Sequence, residues 1–406
     1  MAEYDLAELY KTYEGFDDPR LSVELGGRDP LEDKKFRPTV FDVSVEVTSE
    51  LKASIASFSI GNVFNETAGL YDMSNLKKYI YLGLDVKIYM GHAARIVEVF
   101  RGYVARVDFE YDPDDLSEGL VHVTAMDVKG IMMANNSSKR LKANYYSDAV
   151  KEIFDGSAYQ DLINRQVIAD LTVIDTPDKP GGGDATGGAM GGLGGGAVGG
   201  LGGAGAGEQP DIRIEMVAES DYEFVVKVAK KFNYEFFTIG GHVTFRKAKA
   251  NTMDLIEIYP SQVIEAFDIG YDITGVVGQV IVRTIDIAKG TRIEVKKKNS
   301  GKFSLGGKAK PLISNQQYVY TDSSVETQEQ ATQRAEYLME EMSYRLGNLN
   351  MRLRGMPELV PGRFVKLRDF GDGISNTFYI TDVIHEYNRS GRYSTTIIGR
   401  ASTMSQ

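Results

Sequence analysis

The sequence predicts a β-rich α+β fold, and three observations carry that expectation. Strand-like segments separated by turn chemistry run from Arg20 to about Asn135 and resume at Asp254 for most of the remaining chain. A short segment with helical spacing stands between them. One further helix, at about 326–346, interrupts the second β-rich region. Closely spaced strands without intervening helices argue for antiparallel sandwiches or barrels.

In the first region "FDVSVEVTS" alternates Val43, Val45 and Val47 with Ser44, Glu46 and Thr48, the period-two pattern of a half-buried strand. "LKASIASFSIGN", "GLDVKIYMGH", "RIVEVFRGYVARVDFEY" and "GLVHVTAMD" follow, divided by "NETAG", "MGHAA" and "DPDDLSEG". Near Ser147 the period changes. "SDAVKEIFDGSAYQDLI" has Ser147 as an expected cap before helical spacing. "SDYEFVVKVAKKFN" opens with a capping box, Ser220 followed three residues later by Glu223, and sets Phe224, Val225, Val228, Ala229 and Phe232 on one face. The pair Gly240-Gly241 then suits a two-residue hairpin turn. In "ETQEQATQRAEYLMEEMSYRL" the residues Ala331, Ala335, Leu338, Met339, Met342 and Leu346 recur at helical spacing, and Gly347 is the expected stop. "NLNMRLRGM", "GRFVKLRDF", "NTFYITDVIHEYNR" and "GRYSTTIIGRA" close the chain as strands.

The totals narrow the function. With 406 residues, two to four domains are accessible. There is no cysteine, so disulfides, thiolate metal sites and cysteine nucleophiles are excluded. The balance of 46 basic against 57 acidic residues gives a net charge of −11, a poor footing for gripping phosphates, and no specific nucleic-acid binding is expected. The N-terminus lacks a basic stretch followed by an apolar one, so the expectation is synthesis in the bacterial cytoplasm without a signal peptide.

Motifs for chemistry are weak. His92, His122, His242 and His385 lie far apart in sequence, and isolated structural histidines explain them better than a zinc site. Asp112, Asp114, Asp115 and Glu118 read as an acidic hairpin tip, since the spacing of a calcium loop is missing. Asp369-Phe370-Gly371 matches a kinase triplet without the rest of the kinase set, and reads as a turn between strands. Lys296, Lys297 and Lys298, followed by Lys302, Lys308 and Lys310, have only Phe303 interleaved. They suit a solvated hairpin tip or contact with an acidic partner subunit rather than nucleic acid. No nucleophile–base pair can be named, so no catalytic residue, metal or cofactor is expected.

The order of segments resembles a known family. "LDVKIYMGHAARIVEVFRGYVARVDFEY" with "LVHVTAMD", then "IRIEMVAESDYEFVVKVAKKFNYEFFTIGGHVTFRK", then "ETQEQATQRAEYLMEEM" leading into "LRGMPELVPGRFVKLRDFGDGISNTFYITDVIHEYNRSGRYSTTIIGR" are similar to the phage late-control D family. That family supplies baseplate hubs of contractile tails and is similar to the hub half of VgrG. The matching positions are Gly91, Asp127, Ser220, Gly355, Pro357, Pro361, Gly362 and His385, over roughly residues 20 to 400. The resemblance implies a structural protein without enzymatic activity. It implies two tube-like antiparallel β-barrels, at 19–140 and 251–406, around a small α/β domain at 141–250, with residues 1–18 as an extension. It further implies a homotrimer whose six barrels continue a sixfold tail tube and meet a separate spike, with tape-measure protein and other baseplate components as partners. Excess carboxylates would face the channel. Two alternatives stand beside it: a tail-associated cell-wall-degrading enzyme, and a carbohydrate-binding β protein, which would show aromatic platforms.

One stretch lies outside the family pattern. Residues 181–207 contain 16 glycines in 27 residues, without a charge from Ala185 onward. No Lys-Ser/Thr follows, which removes a phosphate loop. Its glycine content, at about 1 kcal/mol each relative to alanine in a helix in water, argues against stable membrane insertion. The expectation is a flexible loop in the α/β insert. A sharper version has Met190, Leu193, Val198 and Leu201 contacting the channel, spike or tape-measure protein.

Overall fold

The computed structural model describes residues 2–65, 67–111, 119–179, 214–286, 290–299, 309–321, 325 and 327–404. The glycine-rich run, with Met190, Leu193, Val198 and Leu201, lies outside them. So do Asp112, Asp114, Asp115, Glu118, Lys302, Phe303 and Lys308.

The predicted alternation is realised. Val43, Val45 and Val47 are at most 5% exposed, while Ser44 and Glu46 face outward from the strand Thr39–Thr48. Their strand sits in the middle of a 12-stranded sheet. From one edge the order is Pro19–Leu25, Asp85–His92, Arg95–Glu110, Leu120–Met126, Ile55–Gly61 and Thr39–Thr48. It continues directly through Thr377–Tyr387, Tyr393–Ala401, Gly347–Arg354 and Ile264–Tyr271. Phe364–Leu367 pairs with Thr377–Tyr387, and Asp254–Ile258 pairs with Phe364–Leu367 in parallel. The two β-rich regions are thus one sheet, joined by Val43↔Tyr387, Val45↔His385 and Val47↔Val383. Among the described residues the path keeps two free ends and closes no barrel.

Separate cores lie under the two halves. Val45, Phe58, Ile88 and Val123 lie in one, and Met351, Val365, Ile380 and Ile397 in the other. The N-terminal helix Leu6–Thr12 contributes Leu9 to the second core, with Tyr13 and Phe16 just beyond it, ahead of the first strand of the first half. A third core belongs to the small α/β unit. There the helices Tyr146–Phe154, Ser157–Asn164 and Asp221–Phe232 cover a sheet of Asp170–Val173, His242–Lys247 and Tyr234–Ile239. Val128 and Met132, from the helix Val128–Ala134, pack into this core too.

Local signals hold in part. Ser220 caps Asp221–Phe232 with both bonds of the capping box, and Gly240 and Gly241 take φ of 55° and 78° in the hairpin. Ser147 does not cap its helix, which starts one residue earlier at Tyr146. The free amides of that first turn are met from a distance, Tyr146 N by Asp178 Oδ2 and Ser147 N by Thr176 Oγ1. Gly347 does not stop the long helix Gln328–Ser343 either; it opens the strand Gly347–Arg354, where a Cβ would stand tightly, 3.0 Å from Ala401 Cβ and 3.1 Å from the Tyr271 ring. That helix packs its apolar face on an inserted sheet of Thr291–Lys298, Gln279–Asp286 and Gln317–Thr321. Asp369-Phe370-Gly371 lies in the connection from Phe364–Leu367 to Thr377–Tyr387, with Asp369 and Gly371 at positive φ.

Candidate functional site: a buried junction and a polar sheet face

Five of the family-motif positions, Gly91, Gly355, Pro357, Pro361 and His385, lie at or beside the place where the two halves join. Gly91 and His92 end the strand Asp85–His92, and a Cβ on Gly91 would stand 2.0 Å from the Arg95 carbonyl oxygen. The tight hairpin aims His92 into the second half, where its Nε2 lies 2.7 Å from the Gly355 carbonyl oxygen. Gly355 in turn is covered by the Tyr393 ring. Tyr393 Oη is hydrogen-bonded to His385 Nδ1 at 2.9 Å, and Thr395 Oγ1 lies 3.1 Å from the same nitrogen. Thr395 Oγ1 accepts from Met356 N at 2.9 Å, fixing the chain just ahead of Pro357. Pro357 and Pro361 are buried and carry no amide hydrogen, so the segment can leave the sheet without an unmet donor at either position. The N-terminal extension enters the same junction: Tyr13 donates to Glu358 Oε1 at 2.5 Å, and Arg95 stands 3.6 Å from that oxygen.

Of the remaining motif positions, Ser220 is the helix cap described above, and Gly362 and Asp127 hold other seams. Gly362, at φ 78°, donates to the Ile380 carbonyl and accepts from Arg246 Nη2 at 2.8 Å, bringing the small α/β unit against the sheet. Arg246 also pairs with Glu235 at 2.7 Å, and Tyr379 donates to Glu235. Asp127 caps Val128–Ala134, accepting from Lys129 N and from Ser54 N. The Lys129 side chain is fully buried, its Nζ 3.7 Å from Asp127 Oδ2 and without a hydrogen bond. Burial pushes the Asp127 carboxyl up and the Lys129 amine down.

This is a constellation for rigidity. His385 is fully buried and its pKa is pushed down to about 3 by burial; burial also lowers that of His92. His242 lies 4.0 Å from Asp170 at the surface. No group of three His, Cys, Asp or Glu residues suited to a metal occurs among the described residues. One alignment escaped the sequence reading. Ser59 Oγ lies 3.0 Å from His122 Nδ1, and His122 Nε2 lies 2.7 Å from Glu110 Oε2. It imitates a nucleophile–base–acid relay. However, Ser59 is 8% exposed inside a strand paired on both sides, and Ser59 and His122 are direct cross-strand neighbours. Cross-strand contact accounts for the geometry.

The other candidate surface is the outward face of the large sheet. One row runs through Arg106, Thr124, Ser57, Ser44, Glu386, Ser394 and Arg354, each the cross-strand partner of the next. A second runs through Met126, Ile55, Glu46, Ile384, Thr396 and Arg352. The face therefore crosses both halves without a break. Its charges are paired: Arg106 with Asp108 at 2.7 Å, Lys52 with Glu46 and Asp382 at 2.5 and 2.9 Å, and Arg352 with Glu386 at 3.6 Å.

No family model and no curated protein matches the chain. Solved structures do. The chain is similar to a tail protein from Neisseria meningitidis, with 12% identity, a TM-score of 0.61, and 95% of this chain covered against 97% of that one. A 43 kDa tail protein of prophage MuSo2 from Shewanella oneidensis gives the same identity and TM-score, with 95% and 99% covered. An E. coli type VI secretion system component, described as structurally similar to the bacteriophage T4 tail proteins gp27 and gp5, follows at 9% identity and a TM-score of 0.52, with 93% and 76% covered. Over 95% of its length this chain has the fold of phage tail proteins.

Proposed function

We propose that this protein is a structural hub of a contractile-tail or injection-system baseplate. The observation that supports this most is the fold match, which takes in 95% of this chain and nearly all of two tail proteins. In this reading the chain forms a homotrimer. Each copy contributes two tube-like halves, and six halves continue a sixfold tube and adapt it to a threefold spike carried by a separate protein. Tape-measure protein and other baseplate components are its further partners. The outward face of the sheet, polar along its first row and carrying Met126, Ile55 and Ile384 in its second, is suited to line the passage. Its Arg–Asp and Lys–Glu pairs would give a wall of low net charge, in place of the carboxylate-rich lining expected from composition. Such a wall repels neither DNA nor protein strongly and binds neither.

Light scattering of the purified chain, followed by electron microscopy of the parent particle, tests the reading. A threefold ring at the tip of the tube is expected; a monomer that never joins a tube-tipped particle overturns it. The enzymatic alternative draws only on the Ser59–His122–Glu110 alignment. Cell-wall hydrolysis that is lost in Ser59→Ala would favour it.

A further inference from the structure

The inserted sheet carries charge out of character with the chain. Its helix-facing side is apolar, with Val280, Val282, Ile293 and Val295 against Gln328–Ser343. On the opposite side Arg283 faces Glu294 and Ile285 faces Arg292 across the ladder, and Lys296 is two residues along from Glu294. Among the described residues Glu294 takes all three cations, Arg283 at 2.9 Å, Arg292 at 2.7 Å and Lys296 at 3.1 Å. Their proximity holds its carboxyl below the usual carboxylate range. Among the described residues one carboxylate faces three cations here, an excess of positive charge on a protein of net charge −11. Beside the cations Ile285 is 62% exposed and Val319 is 45% exposed. Exposed aliphatic side chains ringed by arginine are the composition of an interface rather than of a solvated face.

A complementary surface exists on the same chain. Residues 2–18 hold six carboxylates and one lysine. Glu3, Asp17 and Asp18 lean on Arg363, Arg354 and Arg20, while Glu8 and Glu14 stand exposed beside the 36%-exposed Tyr10. This band is anchored on the core of the second half, whereas the basic spot belongs to the inserted sheet with its own core.

We infer that the cationic face around Arg283, Arg292 and Lys296 docks the acidic N-terminal band of a second copy of this chain. The contact joins different patches of two identical chains, so it is head-to-tail and can close a ring. It rests on the proposed ring of copies and supplies it with a specific interface. Charge complementarity of this kind sets orientation and speeds association.

The test uses the full chain and its charge-reversed variants, with mass measured by light scattering against concentration and salt. The double reversal Arg292→Glu/Lys296→Glu is expected to weaken self-association at least tenfold, as is Glu8→Lys/Glu14→Lys. Combining all four is expected to restore it and to keep the salt dependence. All four side chains are exposed, and circular dichroism checks that each variant folds; Lys296→Gln is the milder variant if one does not. An unchanged trimer in both reversals overturns the inference and leaves the hub reading standing. Weakening without rescue in the fourfold variant also overturns it, because the partner patch is then another one. A wild-type chain that is monomeric in solution and absent from any ring overturns both.

Discussion

The ring of Tyr393 lies against the Cα of Gly355, so closely that a Cβ there would stand 2.0 Å from Tyr393 Cδ1. Tyr393 is also fixed at its far end by the His385 bond. It therefore cannot swing away without breaking the junction. Gly355→Ala is expected to cost about 3 kcal/mol, the upper range for overpacking a core. Urea unfolding measures it, and a loss below roughly 0.5 kcal/mol would show the ring to be movable.

His385 makes the fold acid-sensitive. The ring is neutral in the folded protein, with a pKa of about 3, against an ordinary value near 6.5 when unfolded. Between those values the unfolded state binds more protons, so stability rises with pH and is lost as pH falls from about 6.5 toward 3. His92 acts in the same direction. In His385→Gln the slope of stability against pH in that window is expected to drop by up to about 1.4 kcal/mol per pH unit. An unchanged slope would mean that His385 can take up a proton in the folded state.

The Asp127–Lys129 pair predicts non-additivity. Removing one buried charge strands the other, so Lys129→Met alone is expected to cost roughly 3–5 kcal/mol. Adding Asp127→Asn removes the stranded carboxylate but keeps an oxygen acceptor for the cap. The double variant is expected to be more stable than Lys129→Met. A double-mutant cycle with no coupling would refute the pairing.

Ser220→Ala removes the hydroxyl that accepts from Glu223 N at 3.1 Å, and leaves only the reciprocal bond from the residue 220 backbone N to Glu223 Oε2. A loss of about 1 kcal/mol is expected. Loss of Asp221–Phe232 protection in hydrogen exchange, ahead of the large sheet, would locate the effect.

Much of this was readable because it is local. Alternation at Val43–Val47, the capping box at Ser220 and the Gly240–Gly241 turn each depend on neighbours a few residues away. Ser147 misled because its helix is capped by Thr176 and Asp178, some 30 residues downstream. Gly347 misled for a similar reason: its lack of a side chain answers to Tyr271 and Ala401, not to a helix end. The resemblance picked out Gly91, Gly355 and His385, but their common role depends on His92 and Tyr393, whose pairing no spacing announces. Nor does a strand's own pattern reveal that Thr39–Thr48 takes Thr377–Tyr387 as its neighbour, since either face alternation suits many partners.

That last pairing governs how the chain is made. Thr48 contacts the Thr381 carbonyl 333 residues further on, so the middle of the sheet is completed only long after Thr39–Thr48 has left the ribosome. Until then one side of Thr39–Thr48 is an open edge, able to pair with the wrong strand or another nascent chain. Such distant closure is slow in folding. A truncated chain ending before Thr377 should accumulate as aggregate, and the late C-terminal strands act as the seal that ends that exposure.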